Sequence, residues 1–127
     1  MTRSNSITFE QFQQYVAEAV ETLPEEIKRM MENVAVTVAV YPTDEQKRAV
    51  GLRPEQSLYG LYQGVPLTQR TSYYGMVPPD RITIFMYPMV HHHPTPDAIR
   101  HQVQKTVLHE IGHHFGMSEE RLRALGY

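Results

Sequence analysis

The chain has 127 residues, of which 41% are hydrophobic and 20% charged, and its 14 acidic and 12 basic side chains leave a formal charge of −2. This composition is typical of a globular protein, and the length suits one domain over residues 1–127. The basic residues are too scattered to follow a phosphate backbone, so we expect no nucleic-acid partner. There is no cysteine, which excludes disulfides, thiolate metal ligands and cysteine nucleophiles.

No stretch of the sequence resembles a secretion signal or a membrane span. The first ten residues are polar, and no apolar run approaches the roughly 20 residues that cross a bilayer. We therefore expect a cytoplasmic, monomeric protein with no membrane partner, unless the chain is the mature form of a longer precursor.

Two helices are predicted in the first quarter of the chain. Thr8 can cap the first helix, because Gln11 completes a capping box, and this helix is expected to run to about Thr22. A shorter helix follows Pro24. Apolar residues at helical spacing are predicted to lie in the core, among them Phe9, Phe12, Met30 and Met31.

Three strands are predicted between these helices and residue 88. Val34–Tyr41 alternates valines with smaller residues, as in a strand that a helix covers. Asp44–Ala49 indicates a helical turn, and Leu58–Tyr62 a second, weaker strand. Residues 63–80 are rich in turn formers. Arg81–Tyr87 is apolar on both faces, which predicts a strand inside the sheet.

A long helix is predicted to follow the third strand. His91–His93 is interpreted as a solvated loop, because adjacent loop histidines rarely point at one ion. Thr95–Pro96 supplies a cap and a favoured first helical residue, and Gly116 is expected to end the helix. Leu122 and Leu125 indicate a short terminal helix.

The second half of this helix carries the pattern H-E-x-x-H at His109, Glu110 and His113. Residues four apart lie roughly 40° from each other around a helix and one turn apart along it, so both imidazoles can converge on one ion. Glu110 would lie beside the metal, where a carboxylate can take the proton of an attacking water and pass it to the leaving amine. The pattern therefore predicts a catalytic metal site.

A catalytic zinc normally has three protein ligands and an open position. Gly116 turns the chain three residues after His113, and Glu119 follows three residues later. Glu119 is therefore the predicted third ligand, with Glu120 as a competing ligand. Zinc is the ion that most commonly binds a site of nitrogen and oxygen donors, so we expect one Zn²⁺ per chain.

The extended pattern H-E-x-x-H-x-x-G-x-x-E, with LYGLYQG at residues 58–64 and RITIFMYP at residues 81–88, resembles the minimal bacterial zincin-like metallopeptidases. The resemblance implies an α+β fold, in which a small mixed sheet of three or four strands packs on the long motif helix beside additional helices, and a zinc site. The chain departs from the longer zincin pattern at Glu119, where metzincins have histidine and some bacterial relatives have aspartate. Glutamate keeps an oxygen donor on a longer arm.

The sequence thus favours a zinc metallopeptidase that hydrolyses a peptide or an unfolded segment, which could add to an edge of the sheet. One alternative is a non-catalytic binding or adaptor domain in which zinc fastens the tail to the long helix. A second alternative is a zinc hydrolase acting on a non-peptide amide, because the metal and water chemistry would be the same.

Several further residues lie on or near the predicted site. His114 falls within the apolar arc of the long helix and is predicted to be at least half-buried. Gln102 and Thr106 share the side of the histidines, where ordinary polar surface is favoured over hydrogen bonds to ligands. Four tyrosines could stabilise an oxyanion, although packing is the default interpretation for each: Tyr59, Tyr62, Tyr73 and Tyr74.

Overall fold

A computed structural model describes residues 7–64 and 80–124, with the backbone alone at His113 and Glu119. None of the helices within these ranges is both long enough and apolar enough to cross a lipid bilayer. In chain order the elements are α1 (Phe9–Glu21), α2 (Glu25–Met30), β1 (Val34–Ala39), α3 (Asp44–Ala49), β2 (Gly60–Gln63), β3 (Asp80–Phe85), α4 (Met86–His92), α5 (Pro96–His114) and α6 (Glu119–Ala124).

The three strands form a mixed sheet in the order β1-β3-β2. β1 runs parallel to β3, with Val36 opposite Ile82, and β2 runs antiparallel to β3, with Gly60 opposite Ile84. A small mixed sheet with helices confirms the predicted α+β fold. The parallel pair suits a strand buried on both faces, and Ile82, Thr83, Ile84 and Phe85 of β3 are all buried.

The long helix α5 packs on the sheet face that carries the valines of β1 and the isoleucines of β3. Successive side chains of a strand point to opposite faces, so the register places these two rows side by side on that face. Within the sheet, α5 contacts β2 and β3. Helix α1 packs on α5. The core consists of Phe12, Val16, Ala19, Leu23, Ile27, Met31, Ile82, Ile84, Met89, Ile99, Val103, Val107, Leu108, Ile111 and Leu122.

The predicted first helix is confirmed with its capping box. The Thr8 hydroxyl accepts from the Gln11 backbone N–H at 3.0 Å, and the Gln11 side chain accepts from the Thr8 N–H at 2.9 Å. Arg100 of α5 donates two hydrogen bonds of 2.5 Å to the Glu18 carboxylate. This bidentate pair fixes the first helix against the motif helix.

The third strand is shorter than predicted, because the chain turns into helix α4 at Met86. Met86 and Tyr87 continue the alternation of β3, so periodicity alone could not show this change. Pro88 lies in the first turn of α4, where a missing N–H is tolerated, and Met89 is completely buried. Helix formation carries the Met89 side chain into the core. The prediction of a loop over His91–His93 is wrong for the first two residues, which belong to α4.

Two of the four predicted core residues in the first helices are exposed instead. Phe12 and Met31 are buried, but Phe9 has 37% and Met30 42% of its surface exposed. Adjacent helical residues point about 100° apart, so Met30 and Met31 cannot both face the core. Phe9 is the first residue of α1. It lies about one helical turn before Phe12, which is the first residue of this helix that is buried in the core.

Candidate metal centre

A cleft of 420 Å³ opens between helix α5 and the segment leading into β2. His109 and Glu110 both line the cleft and are half-buried. The structure therefore brings the predicted first ligand and the predicted base to one hollow that solvent can reach. The remaining lining residues are Ser57, Leu58, Tyr59, Gly60, Gln102, Lys105 and Thr106.

The imidazole of His109 is oriented by its own helix. Its Nδ1 lies 2.9 Å from the carbonyl oxygen of Lys105, one turn earlier. A carbonyl oxygen only accepts hydrogen bonds, so Nδ1 carries a proton in this contact. This is the arrangement of a metal-binding histidine whose second nitrogen is held by a backbone carbonyl.

Gly60 allows β2 to approach the motif helix closely. A Cβ atom built at this position would lie 2.9 Å from Cγ2 of Thr106, 3.1 Å from Cγ of Glu110 and 3.4 Å from Cδ1 of Ile84. Any larger residue would push against the Glu110 side chain. A single glycine inside a strand indicates close approach of another element, so the LYGLYQG segment carried a signal that sequence analysis did not use.

The other two predicted ligands are placed by the backbone. His113 lies on α5 one turn after His109, and Glu119 is the first residue of α6. Gly116 ends the motif helix in the left-handed conformation, with φ of 76°, and the Met117 N–H donates to the Gly112 carbonyl at 2.8 Å. This is the Schellman arrangement that glycine at the end of a helix favours, and it confirms Gly116 as the stop.

Helix α6 is held against the motif helix through Gly112, which lies between the two histidines of the motif. A Cβ atom on Gly112 would lie 2.5 Å from Cδ2 of Leu122, which is completely buried. Arg121 also pairs with Glu26 of α2 at 2.8 Å. Glycine at position 112 therefore lets α6, and with it the backbone of Glu119, lie close to the motif helix.

A second polar cluster joins the sheet to the end of the motif helix. The Tyr62 hydroxyl donates to Oδ2 of Asp80 at 3.0 Å, and Nε2 of His114 lies 3.7 Å from the same oxygen. The rings of Tyr62 and His114 stack with their centroids 3.5 Å apart. His114 is exposed, so the prediction of a buried or half-buried histidine is wrong. Helix α5 ends at this residue, so the side of the helix that is apolar and covered in the earlier turns is no longer covered here.

Of the candidate tyrosines, Tyr59 lines the cleft and Tyr62 belongs to the cluster above, while Tyr73 and Tyr74 lie outside the described residues. The Tyr59 hydroxyl lies 2.9 Å from Nδ1 of His92. Burial raises the pKa of Tyr59 above its ordinary value of 10.0, because removal from water disfavours the phenolate. Tyr59 therefore stays a neutral phenol at physiological pH.

Gln102 and Thr106 line the cleft on the side of His109. The Gln102 side-chain amide donates to Oγ1 of Thr106 at 3.0 Å. Thr106 is only 7% exposed, so it is part of the interior and not the polar surface that the sequence favoured. Its hydroxyl is satisfied by Gln102, and its methyl group faces Gly60.

Among the side chains that the structure describes, which exclude those of His113 and Glu119, no group of three His, Asp or Glu residues could hold a metal ion. The run His91–His93 is included in that set. A larger hollow of 810 Å³ is lined by residues of α1, α2 and β1, with their connections, and by none of the motif helix. Among the described side chains of the H-E-x-x-H pattern, His109 and Glu110 thus line the smaller cleft and not the larger hollow.

Residues 31–127 match the model of a family described as zincin-like metallopeptidase. The chain is also similar to the solved structure of a conserved hypothetical protein from Thermus thermophilus, with 25% sequence identity and a TM-score of 0.56 over 85% of this chain and 94% of that one. The description of that relative names no activity, so the likeness bears on the fold alone. No curated protein matches the chain.

Proposed function

Because the chain belongs to the zincin-like metallopeptidase family, we propose that it is a zinc-dependent peptidase that holds its metal with His109, His113 and Glu119. The observation that carries this proposal is the placement of His109. Its Nδ1 is held by the Lys105 carbonyl, in a cleft that also contains Glu110. The same contact joins Nδ1 of His93 to the Met89 carbonyl at 2.8 Å, so what sets His109 apart is the cleft that it shares with Glu110.

The donor set fits zinc. Two imidazoles from consecutive turns of α5 and one carboxylate from the start of α6 would supply nitrogen and oxygen ligands and leave one position open. The packing of Leu122 against Gly112 supports this set, since it holds α6 beside the turn that joins the two histidines. When bound, zinc would supply Lewis acidity, polarising the scissile carbonyl and lowering the pKa of water.

Glu110 is the proposed general base. Its carboxylate would accept a proton from the water that attacks the carbonyl carbon, and it would then deliver that proton to the leaving nitrogen as the C–N bond breaks. The close approach of Gly60 to Cγ of Glu110 restricts where this side chain can lie. A restricted carboxylate loses less entropy on reaching the geometry of proton transfer.

The proposed substrate is an extended peptide or an unfolded segment. The cleft runs beside the start of β2, which lies at the edge of the sheet that the described strands form. An extended peptide lying along such a strand would pass over His109 and Glu110.

The test is hydrolysis of a peptide library by zinc-loaded, tag-free protein and by Glu110→Gln. We expect the variant to keep its zinc and to lose about 10²- to 10⁴-fold in rate, as when a general base is removed. Glu45→Gln makes the same charge change at an exposed residue of α3, away from the cleft, and should leave both zinc content and rate unchanged. Full hydrolysis by Glu110→Gln would refute the assigned base.

The identity of the third ligand is tested separately by zinc affinity. Glu119→Gln should weaken zinc binding, because an amide oxygen is a poorer ligand than a carboxylate, while Glu120→Gln should not. Weakening by Glu120→Gln alone would reassign the ligand to the neighbouring residue.

A further inference from the structure

Five aromatic rings form a continuous row on the surface beside the cleft. Consecutive centroids lie 4.8, 5.4, 5.4 and 5.8 Å apart, and the second and third rings are stacked. We name this set the aromatic row, and in spatial order its members are Tyr41, Tyr87, His91, His92 and Tyr59.

The outer part of the aromatic row is exposed although its rings pack on one another. Tyr41 has 61% and Tyr87 44% of its surface exposed, and both histidines are exposed. The Tyr87 N–H donates to the Val40 carbonyl at 2.9 Å, which joins α4 to the end of β1. His91 lies one helical turn after Tyr87, so the helix itself stacks the two rings. The row is thus a preassembled surface.

The aromatic row leads into the candidate metal centre. A groove of 170 Å³ is lined by the four outer members of the row and by Ser57, and Ser57 also lines the cleft of His109 and Glu110. The innermost member, Tyr59, lines the cleft and contacts His92 through its hydroxyl at 2.9 Å. The two hollows are therefore parts of one continuous surface.

We propose that the aromatic row is a subsite for an aromatic side chain of the extended peptide that occupies the cleft. Aromatic rings bind other aromatic rings by offset or edge contacts, and Tyr41 and Tyr87 present exposed rings at the outer end. The proposal rests on the proposed function insofar as it calls this peptide a substrate. It makes the row a determinant of specificity at a fixed distance from the scissile bond.

Charge favours a peptide over a nucleic acid as the occupant. The groove contains one acidic and one basic side chain, Glu55 and Lys47, and the chain as a whole carries −2. Aromatic side chains can also stack on bases, but single-stranded nucleic acids require a positively charged groove along the backbone. The described residues that line this groove supply no such excess of positive charge.

The test uses the absence of tryptophan from the protein. Short capped peptides of alanine and serine, each with a single tryptophan at a successive position, are titrated with zinc-loaded Glu110→Gln, and tryptophan fluorescence reports binding without cleavage. Leucine versions of the same peptides compete as the matched series. We expect the best tryptophan peptide to bind about 2- to 10-fold more tightly than its leucine counterpart.

Variants within the aromatic row locate that preference. Tyr41→Ala and Tyr87→Ala should each remove most of the advantage of tryptophan while leaving leucine peptides unchanged, and Tyr87→Phe should retain it because the ring remains. Phe9→Ala, which removes an exposed aromatic ring outside the row, is the control. Circular dichroism of each variant checks the fold.

The outcomes separate this proposal from the peptidase proposal. Peptide hydrolysis with no preference for aromatic residues, unchanged in Tyr41→Ala and Tyr87→Ala, would overturn the subsite and leave the peptidase standing. If both variants lose the preference for tryptophan peptides but the wild type hydrolyses no peptide, the subsite is supported and the peptidase proposal is overturned. Binding of a single-stranded oligonucleotide that the same variants abolish would overturn the assignment to a peptide.

Discussion

Replacing Gly112 with alanine tests how the tail of the protein is held against the motif helix. In an exposed helix interior this change would stabilise the protein by up to about 1 kcal/mol, because alanine is the better helix former. Here the new Cβ would lie 2.5 Å from Cδ2, 3.1 Å from Cδ1 and 3.2 Å from Cγ of Leu122. The shortest of these contacts is about 1 Å shorter than normal contact between carbon atoms.

Because Leu122 is buried, its side chain cannot move away from the new Cβ without a cost in free energy. Its side chain is 0% exposed, so either it leaves a favoured rotamer or α6 moves away, and such overpacking costs about 1 to 3 kcal/mol. Setting this against the gain in helix propensity, we expect Gly112→Ala to destabilise the protein by about 1 to 2 kcal/mol.

A double-mutant cycle isolates the contact. Leu122→Ala alone should cost about 2 to 5 kcal/mol through the lost burial. In that background Gly112→Ala should become stabilising by up to about 1 kcal/mol, so the coupling between the two positions is about 1 to 3 kcal/mol.

Urea denaturation of the metal-free, full-length protein measures these differences, since bound zinc would add its own binding free energy to the folded state. An unchanged m-value would show that the unfolded state is the same in each variant. If Gly112→Ala is as stable as the wild type, or if the coupling is near zero, Leu122 does not pack on the motif helix as described, and the argument for α6 beside the two histidines fails.

Three further predictions follow from single contacts. Gly60→Ala should slow hydrolysis by disturbing Glu110. Adding Thr106→Ser should recover part of the rate, because it removes the methyl group 2.9 Å from the new Cβ. If the rate does not recover, the close approach of Gly60 to the motif helix is refuted. The Arg100 guanidinium lowers the pKa of Glu18 from 4.5, so Glu18→Gln should destabilise the protein near neutral pH. The difference in unfolding midpoint between the variant and the wild type should vanish as the pH falls well below 4.5. A difference that does not change with pH would contradict the ion pair between Glu18 and Arg100. The raised pKa of Tyr59 predicts that the difference in phenolate absorbance between the wild type and Tyr59→Phe reaches its midpoint only above pH 10.

The parts of the fold that the sequence predicted are those controlled by local interactions. The Thr8 capping box, the alternating valines of β1 and the glycine stop at Gly116 each act within a few residues, and each is found where it was expected. Helix α4 was missed because Met86 and Tyr87 keep the period of the preceding strand. The burial of Met89 in the core, which accompanies the helix, depends on contacts with distant elements.

The parts of the site that the sequence could not predict depend on contacts between distant elements. The contact of Tyr62 with His114 requires β2 to pack beside the end of α5, and the aromatic row requires α4 to meet the end of β1. The H-E-x-x-H pattern indicated chemistry because its geometry lies within one helix. The roles of Gly60 and Gly112 depend on which other elements pack against these residues. The spacing of residues along one helix does not reveal this.

The most direct test of the zinc site is the metal content of tag-free protein, measured by elemental analysis for the wild type and for His109→Ala and His113→Ala. A histidine tag is avoided because it binds zinc itself. The account predicts about one zinc per wild-type chain and its loss in both variants with the fold retained. Absence of zinc from the wild type even after reconstitution, or its retention in both variants, would contradict the proposed metal centre.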